Sequence, residues 1–322
     1  MAYLVGTDEA GYGPNLGPLV ISASVWQVPD GVRSEDLYER LAAVITATPG
    51  HARRNATQVA ITDSKVLYAS GKGLRLLERG LWAAWRLLGW TPTTCADVWN
   101  LLAGQSADQR RTALCDGCDG SPAPWDVSPG ELDRLQSAIG QPVAAAGIRL
   151  VALRSRAVFP SEFNETVQRC GSKGAALSRW TLDLVARAMQ PLRPDRISVL
   201  CDKHGGRDRY LPLLVEQFPD EFVEANCEGR QRSVYRFGPA ESRVEICFQA
   251  KAESHMPTAL ASMASKYLRE LAMRALCAFW SARVPGLQPT AGYPQDARRF
   301  KDQIAATQRE LGIEDRVLWR VK

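Results

Sequence analysis

Two adjacent carboxylates, Asp8 and Glu9, stand in the run TDEAGYGP, directly after an apolar stretch that reads as a strand. Successive residues of a strand point to opposite faces, so neighbouring acids serve one site only where the strand ends or bends. The Gly11-Tyr12-Gly13-Pro14 turn supplies that bend, and its glycines let backbone amides approach a ligand closely. Taken alone, the run is equally an acidic loop with ordinary turn residues. Asp202 is a second candidate. It ends the apolar run RISVLCD just before KHGGR, where α/β sheets place ligands, although a turn-initiating Asp is its bland reading. Glu270 is a third, in the helical run ALASMASKYLREL, near the edge of a face made by Ala261, Ala264, Leu268 and Leu271. A solvated glutamate is the ordinary reading there. His204, close behind Asp202, either moves protons or is a loop residue with no chemical part.

Carboxylates gathered at one place repel one another unless a cation joins them, and oxygen-rich sites select Mg²⁺ or Mn²⁺ over zinc. Two such ions, roughly 3.5–4 Å apart, can clamp a scissile phosphate, generate hydroxide and stabilise the leaving oxygen.

The elements that must position these acids follow from periodicity. Strands are expected over Tyr3 to Asp8, Leu19 to Trp26, Ile148 to Ser155, Arg196 to Asp202, Ser233 to Phe237 and Ser242 to Gln249. Helices are expected over about Ser34 to Ala47, Lys72 to Leu88, Ser172 to Met189 and Pro257 to Trp280, with a last one beginning in GYPQDARRF. The stretch from about residue 90 to 147 is rich in Gly, Pro, Ser and Asp and reads as an insertion with short helices and irregular loops. It is either a substrate-binding addition or a surface elaboration, and residues 281–322 read as a C-terminal helical extension. The sum is one mixed α/β domain spanning residues 1–322.

Composition narrows the class. The 322 residues are 45% hydrophobic and 23% charged, with a net charge of +5, which is ordinary for a globular protein and does not by itself announce a nucleic-acid binder. Basic residues gather at the C-terminus (Arg298, Arg299, Lys301, Arg309, Arg316, Arg320, Lys322), most simply as a solvated face. No apolar run of about 18 residues and no basic-then-apolar leader is present, so a cytoplasmic protein without a membrane span is expected. The eight cysteines are scattered and expected to be reduced; only Cys115 and Cys118 form a C-x-x-C pair, without further ligands for zinc nearby. A monomer is expected.

Five separated segments, taken in order, resemble the type 2 ribonucleases H (ribonuclease HII and its relatives). GTDEAGYGPNLGPLVISA resembles the family's N-terminal Asp-Glu-Ala-Gly segment with its glycine turn, and TDSKVL at Thr62 to Leu67 resembles its Asp-Ser-Lys segment. The strand ending in Asp202, the helix ASMASKYLRE and the run AGYPQD follow in family order. The resemblance implies a ribonuclease H-like fold, a five-stranded mixed sheet flanked by helices. It implies cleavage of the RNA strand of RNA–DNA hybrids with Mg²⁺ or Mn²⁺, leaving a 3′-hydroxyl and a 5′-phosphate. It implies Asp8, Glu9, Asp202 and Glu270 as catalytic metal ligands. Gly11 and Gly13 would read the ribose 2′-hydroxyl, Tyr293 would stack on a sugar, and Lys65 and Lys266 would lie near backbone phosphates.

Two positions depart from the family. Tyr12 replaces the arginine of the glycine turn, which puts cleavage at single embedded ribonucleotides in question. Glu270 stands where ribonuclease HII usually has Asp. Two rivals stay open: another nuclease on the same fold, acting on structured DNA, and a non-catalytic nucleic-acid-binding protein.

Overall fold

The computed structural model describes residues 1–55, 57–68 and 73–321. Lys72, the expected start of the second helix, and Lys322 of the basic tail lie outside the described residues.

Hydrophobic runs form the centre of the sheet. β1 (Ala2–Ala10) and β2 (Leu19–Val28) pair antiparallel, with Asp8 opposite Ser22 and Glu9 opposite Ile21. Two short strands, β3 (Ile45–Thr46) and β4 (Val59–Ala60), pair in parallel as a separate ribbon. β5 (Arg149–Val158) lies antiparallel against β2, and β6 (Arg196–Asp202) runs parallel to β1. β7 (Glu224–Glu228), β8 (Arg232–Phe237) and β9 (Val244–Gln249) complete the order β5-β2-β1-β6-β9-β8-β7.

The resemblance implies five strands, and the sheet has seven. The β8–β7 hairpin extends the edge beyond β9. β7 is exposed at every residue and its sequence, EANCE, has no apolar alternation, so only its hydrogen bonds to β8 make it a strand. The helix expected over Ser34 to Ala47 is also shorter. It closes as a 3₁₀ turn and one α-turn ending at Arg40, because the β-branched Val44, Ile45 and Thr46 leave the helix to join the small parallel ribbon.

Helices cover both faces. The long helix Met256–Ser281 lies against β1 and β2 on one side, and the helix Lys173–Met189 against β2 and β5 on the other. The long helix approaches so closely because β1 has Gly6 there: a Cβ on Gly6 would stand 2.2 Å from the Thr258 amide nitrogen. The 90–147 segment is not a surface appendage. Its helices Cys95–Ala103 and Pro129–Ala145 bury Trp99, Leu102, Leu135 and Ile139 in the same core as the long helix. Glu78, fully buried, fixes the segment by accepting hydrogen bonds from the Trp125 and Asp126 amides and the Tyr267 hydroxyl. The helix Pro294–Glu310 packs Phe300 and Ile304 on Leu16 and Trp280 in a third cluster. Among the described residues no helix is long and apolar enough to cross a membrane.

Candidate active site

β1, β6 and β9 are adjacent parallel strands: Asp8 and Glu9 lie in the last three residues of β1, which runs on to Ala10 rather than ending at Asp8, Asp202 ends β6, and β9 leads into Glu253. The β1–β6 register reaches Thr7 opposite Cys201, which brings Asp8 and Asp202 to the same edge. β9 carries the chain past Gln249, opposite Asp202, into a turn at Lys251 (φ 61°) and the 3₁₀ turn Ala252–Ser254. That turn folds back so that the Ala252 amide donates to Asp202 Oδ1 (3.3 Å) and Glu253 faces the same acids. The carboxyl ends of parallel strands are where ligands bind in open α/β sheets.

The long helix fixes the cluster from above. Ser262 and Ser265 sit three residues apart on one face. Ser265 Oγ donates to the Asp8 carbonyl (3.0 Å) and is hydrogen-bonded to Ser22 Oγ (2.8 Å), and Ser262 hydrogen-bonds the Asp8 side chain. Ser262 is also hydrogen-bonded to Ser64 Oγ (3.0 Å), which ties in the TDSKVL segment, where Asp63 accepts from the Lys65 amide and starts a short helix. The small residues of ASMAS therefore serve two ends: close approach, and hydroxyls aimed at the acids.

Electrostatics mark the site as a concentration of negative charge. Burial, with added repulsion from Asp202 and Glu253, pushes the Asp8 carboxyl up to about 7. Burial and the neighbouring Asp8 and Asp202 raise Glu9 well above the usual glutamate range. Asp202 and Glu253 are raised too, chiefly by burial. Lys65 is the cation among them: burial lowers it, but Asp63, Asp8, Glu253 and Asp202 outweigh that and hold it charged.

Asp8, Glu9 and Asp202 stand at this edge of the sheet, and Glu253 stands beside them. The structure does not aim Glu270 at them. The Glu270 carboxylate accepts from Lys266 Nζ (2.6 Å) and the Tyr68 hydroxyl (3.1 Å), while the Lys266 ammonium lies 4.4 Å from the Tyr68 ring centre. The reason is rotational. At 3.6 residues per turn Glu270 projects about 110° around the helix from the Ser262–Ser265 face that meets Asp8. Glu253 has a readable signal in the sequence: it comes shortly after the apolar strand that ends at Gln249.

The donor set fits a hard divalent cation. It consists of oxygens only, it is mutually repelling, and Glu253 Oε2 is buried with no hydrogen-bond partner. As the side chains stand, no three His, Cys, Asp or Glu among the described residues form a ready ligand group, so closing round an ion requires them to turn inward.

The glycine turn lies beside the acids. Gly11 has φ 91°, and a Cβ there would meet the Pro18 carbonyl oxygen at 2.7 Å and Arg269 Cδ at 2.9 Å. Gly13 faces Tyr293, which is 58% exposed. The Tyr12 hydroxyl lies close to Gly205, and burial and Glu9 together raise it. His204 belongs to the packing: it is buried, bonded through Nδ1 to Ser178 Oγ (3.0 Å), edge-on to Tyr210 and Phe248, and pushed down to about 3 by burial and then Arg207.

No family model and no curated protein matches the chain. Among solved structures it is similar to the ribonuclease H2 from Pyrococcus horikoshii OT3, at 16% identity, covering 98% of this chain and 92% of that one, with a TM-score of 0.43. It is similar to the PCNA:RNase HII complex from Archaeoglobus fulgidus, at 14% identity, 99% and 94% coverage and a TM-score of 0.40. It is also similar to the RNase H3 from Aquifex aeolicus, at 12% identity, 98% and 70% coverage and a TM-score of 0.39. These three solved structures are of ribonucleases H, at 12–16% identity, and each match spans nearly the whole of this chain.

Proposed function

We propose that the chain is a divalent-metal-dependent endoribonuclease that hydrolyses the RNA strand of RNA–DNA hybrids, leaving a 3′-hydroxyl and a 5′-phosphate. The observation that supports the reading is placement: Asp8, Glu9, Asp202 and Glu253 stand at or just past the carboxyl-end residues of three adjacent parallel strands, each with its carboxyl raised. A protein that merely bound phosphates would gain nothing from this negative charge. Those four acids would hold Mg²⁺ or Mn²⁺, which when bound supplies a Lewis acid for the phosphate and an activated water.

The remaining roles belong to the chain's own groups. The backbone at Gly11 and Gly13 approaches the ribose and reads its 2′-hydroxyl. Tyr293 stacks on the sugar beside it. Lys65 balances charge at the scissile phosphate. Lys266 is engaged by Glu270, and its part is to hold that corner of the site together. Tyr12 offers a ring where a guanidinium would offer charge, so long hybrids are the substrate and single embedded ribonucleotides are cut poorly.

The test is purified protein with a labelled hybrid, an all-DNA duplex and a DNA junction, with and without Mg²⁺ or Mn²⁺, beside Asp8→Asn. Metal-dependent cleavage of the hybrid alone, lost in Asp8→Asn, is expected. Equal inertness of wild type and Asp8→Asn sinks the catalytic reading, and equal cleavage of all-DNA substrates sinks the 2′-hydroxyl reading.

A further inference from the structure

The end of the chain is built into the glycine turn. Trp319 and Leu16 form an antiparallel bridge. The Arg320 amide donates to the Asn15 carbonyl (2.9 Å), Asn15 Nδ2 donates to the Arg320 carbonyl (3.1 Å), and the Arg320 guanidinium donates to the Pro14 carbonyl. Behind this segment Asn164 closes a second pair of bonds: its Nδ2 donates to the Trp319 carbonyl (2.7 Å) and its Oδ1 accepts from the Val321 amide (2.8 Å). The tail is therefore a strap held between the helix Pro160–Cys170 and the turn.

Arg320 is an unusual residue to bury for stability alone. It is 2% exposed, its Nε and Nη1 lack partners, and among the described residues no carboxylate pairs with it. Its other neighbour is the Phe163 ring, 4.9 Å from the guanidinium carbon. Arg269, equally buried, grips the turn's other limb through the Leu16, Pro18 and Ala291 carbonyls (3.4, 3.0 and 3.0 Å). Apolar replacement of a buried charge is often neutral or stabilising, and the best-attested use of keeping one is to fix a unique geometry. Here the geometry fixed is that of residues 11–16.

We propose that Arg320 is a positioning residue: with the tail strap it braces the 11–16 turn in the conformation that faces the acids. Its consequence for ribose recognition rests on the hybrid-cleaving reading above. The two guanidiniums are buried near each other and hold different limbs of the turn, Arg320 at the Pro14 carbonyl and Arg269 at the Leu16 and Pro18 carbonyls. Releasing one leaves the fold intact and the turn loose.

The experiment compares wild type, Arg320→Met and Arg320→Lys by amide hydrogen exchange, thermal melting and hybrid-cleavage kinetics. Arg320→Met is expected to speed exchange in the 11–16 segment about tenfold with the rest of the chain unchanged and Tm not lowered. It is expected to raise KM for the hybrid about tenfold while kcat stays within about twofold, and Arg320→Lys is expected to recover part of both effects. Unchanged exchange in the 11–16 segment overturns the proposal whatever the kinetics. So does a loss spread over the whole chain, with lowered Tm and no recovery in Arg320→Lys, because that is what a merely structural residue gives. A wild type inert on hybrids, with exchange raised in the turn alone, sinks the substrate reading and upholds the brace.

Discussion

Glu253 and Glu270 differ in what they touch, and single substitutions separate them. Glu253 faces Asp202 and Asp8 with one oxygen unpartnered, whereas Glu270 is held by Lys266 and Tyr68. Glu253→Gln should lower kcat on a labelled hybrid by about a hundredfold or more, and Glu270→Gln by less than about tenfold. The opposite ranking, measured under both metals, would return the fourth ligand to the long helix. His204 gives a prediction about acid stability. Burial lowers its folded value from 6.5 to about 3, so the native state keeps the ring neutral. The stability this contributes is complete above the unfolded value near 6.5 and is lost as pH falls from there toward 3. Between pH 6.5 and 5 the loss should be about 2 kcal/mol, and His204→Gln should flatten that limb of a urea-midpoint profile.

At the scale of elements, the site depends on how deeply the long helix seats on β1. Gly6 permits that depth, because any Cβ there collides with backbone at Pro257 and Thr258 rather than with a side chain that can move. Gly6→Ala should cost about 3 kcal/mol or more in urea unfolding and should also disturb the Ser262 and Ser265 bonds to Asp8. A loss below about 1 kcal/mol would show that the helix can shift without harm. The strand ends matter in the same way. Asp8 and Asp202 share an edge because β1 and β6 are parallel and in register there, and Glu253 reaches them because the chain after β9 turns back at Lys251.

For the whole molecule, the metal-free protein carries a built-in cost. Asp8 is ionised in the unfolded chain above about pH 4 but resists ionisation in the fold up to about 7, so this group destabilises the native state increasingly as pH rises through that window. A divalent ion bound by the acids reverses the cost and adds its own binding energy, about 2.7 kcal/mol at a hundred times Kd. Melting curves at pH 7.5 should therefore shift up with Mg²⁺ or Mn²⁺ over EDTA. Asp8→Asn should melt above the wild type in EDTA and gain little from metal. An equal metal shift in both proteins would place ion binding elsewhere. The 90–147 segment shares the main core, so these melts should be single transitions rather than a separate loosening of that segment.

Local chemistry made much of this legible. Asp8 and Glu9 fall in the last three residues of β1 and Asp202 ends β6, and an apolar run closing on acids before Gly is written in neighbouring residues. The helix Met256–Ser281 declares itself by period, and Ser172 and Pro294 mark helix starts by their own capping chemistry. What the tertiary structure alone decided is which side chains meet. Glu253 enters the cluster because a turn folds back on β6, and Glu270 leaves it because the serines set the helix's rotation. His204 is neutral because folding buries it against Tyr210 and the Phe248 of β9, β7 exists only through its partner, and the 90–147 segment became core by packing against a helix far along the chain. A residue's own type and its neighbours set its local conformation, but charge, burial and ligand geometry arise from groups that the chain brings together only on folding.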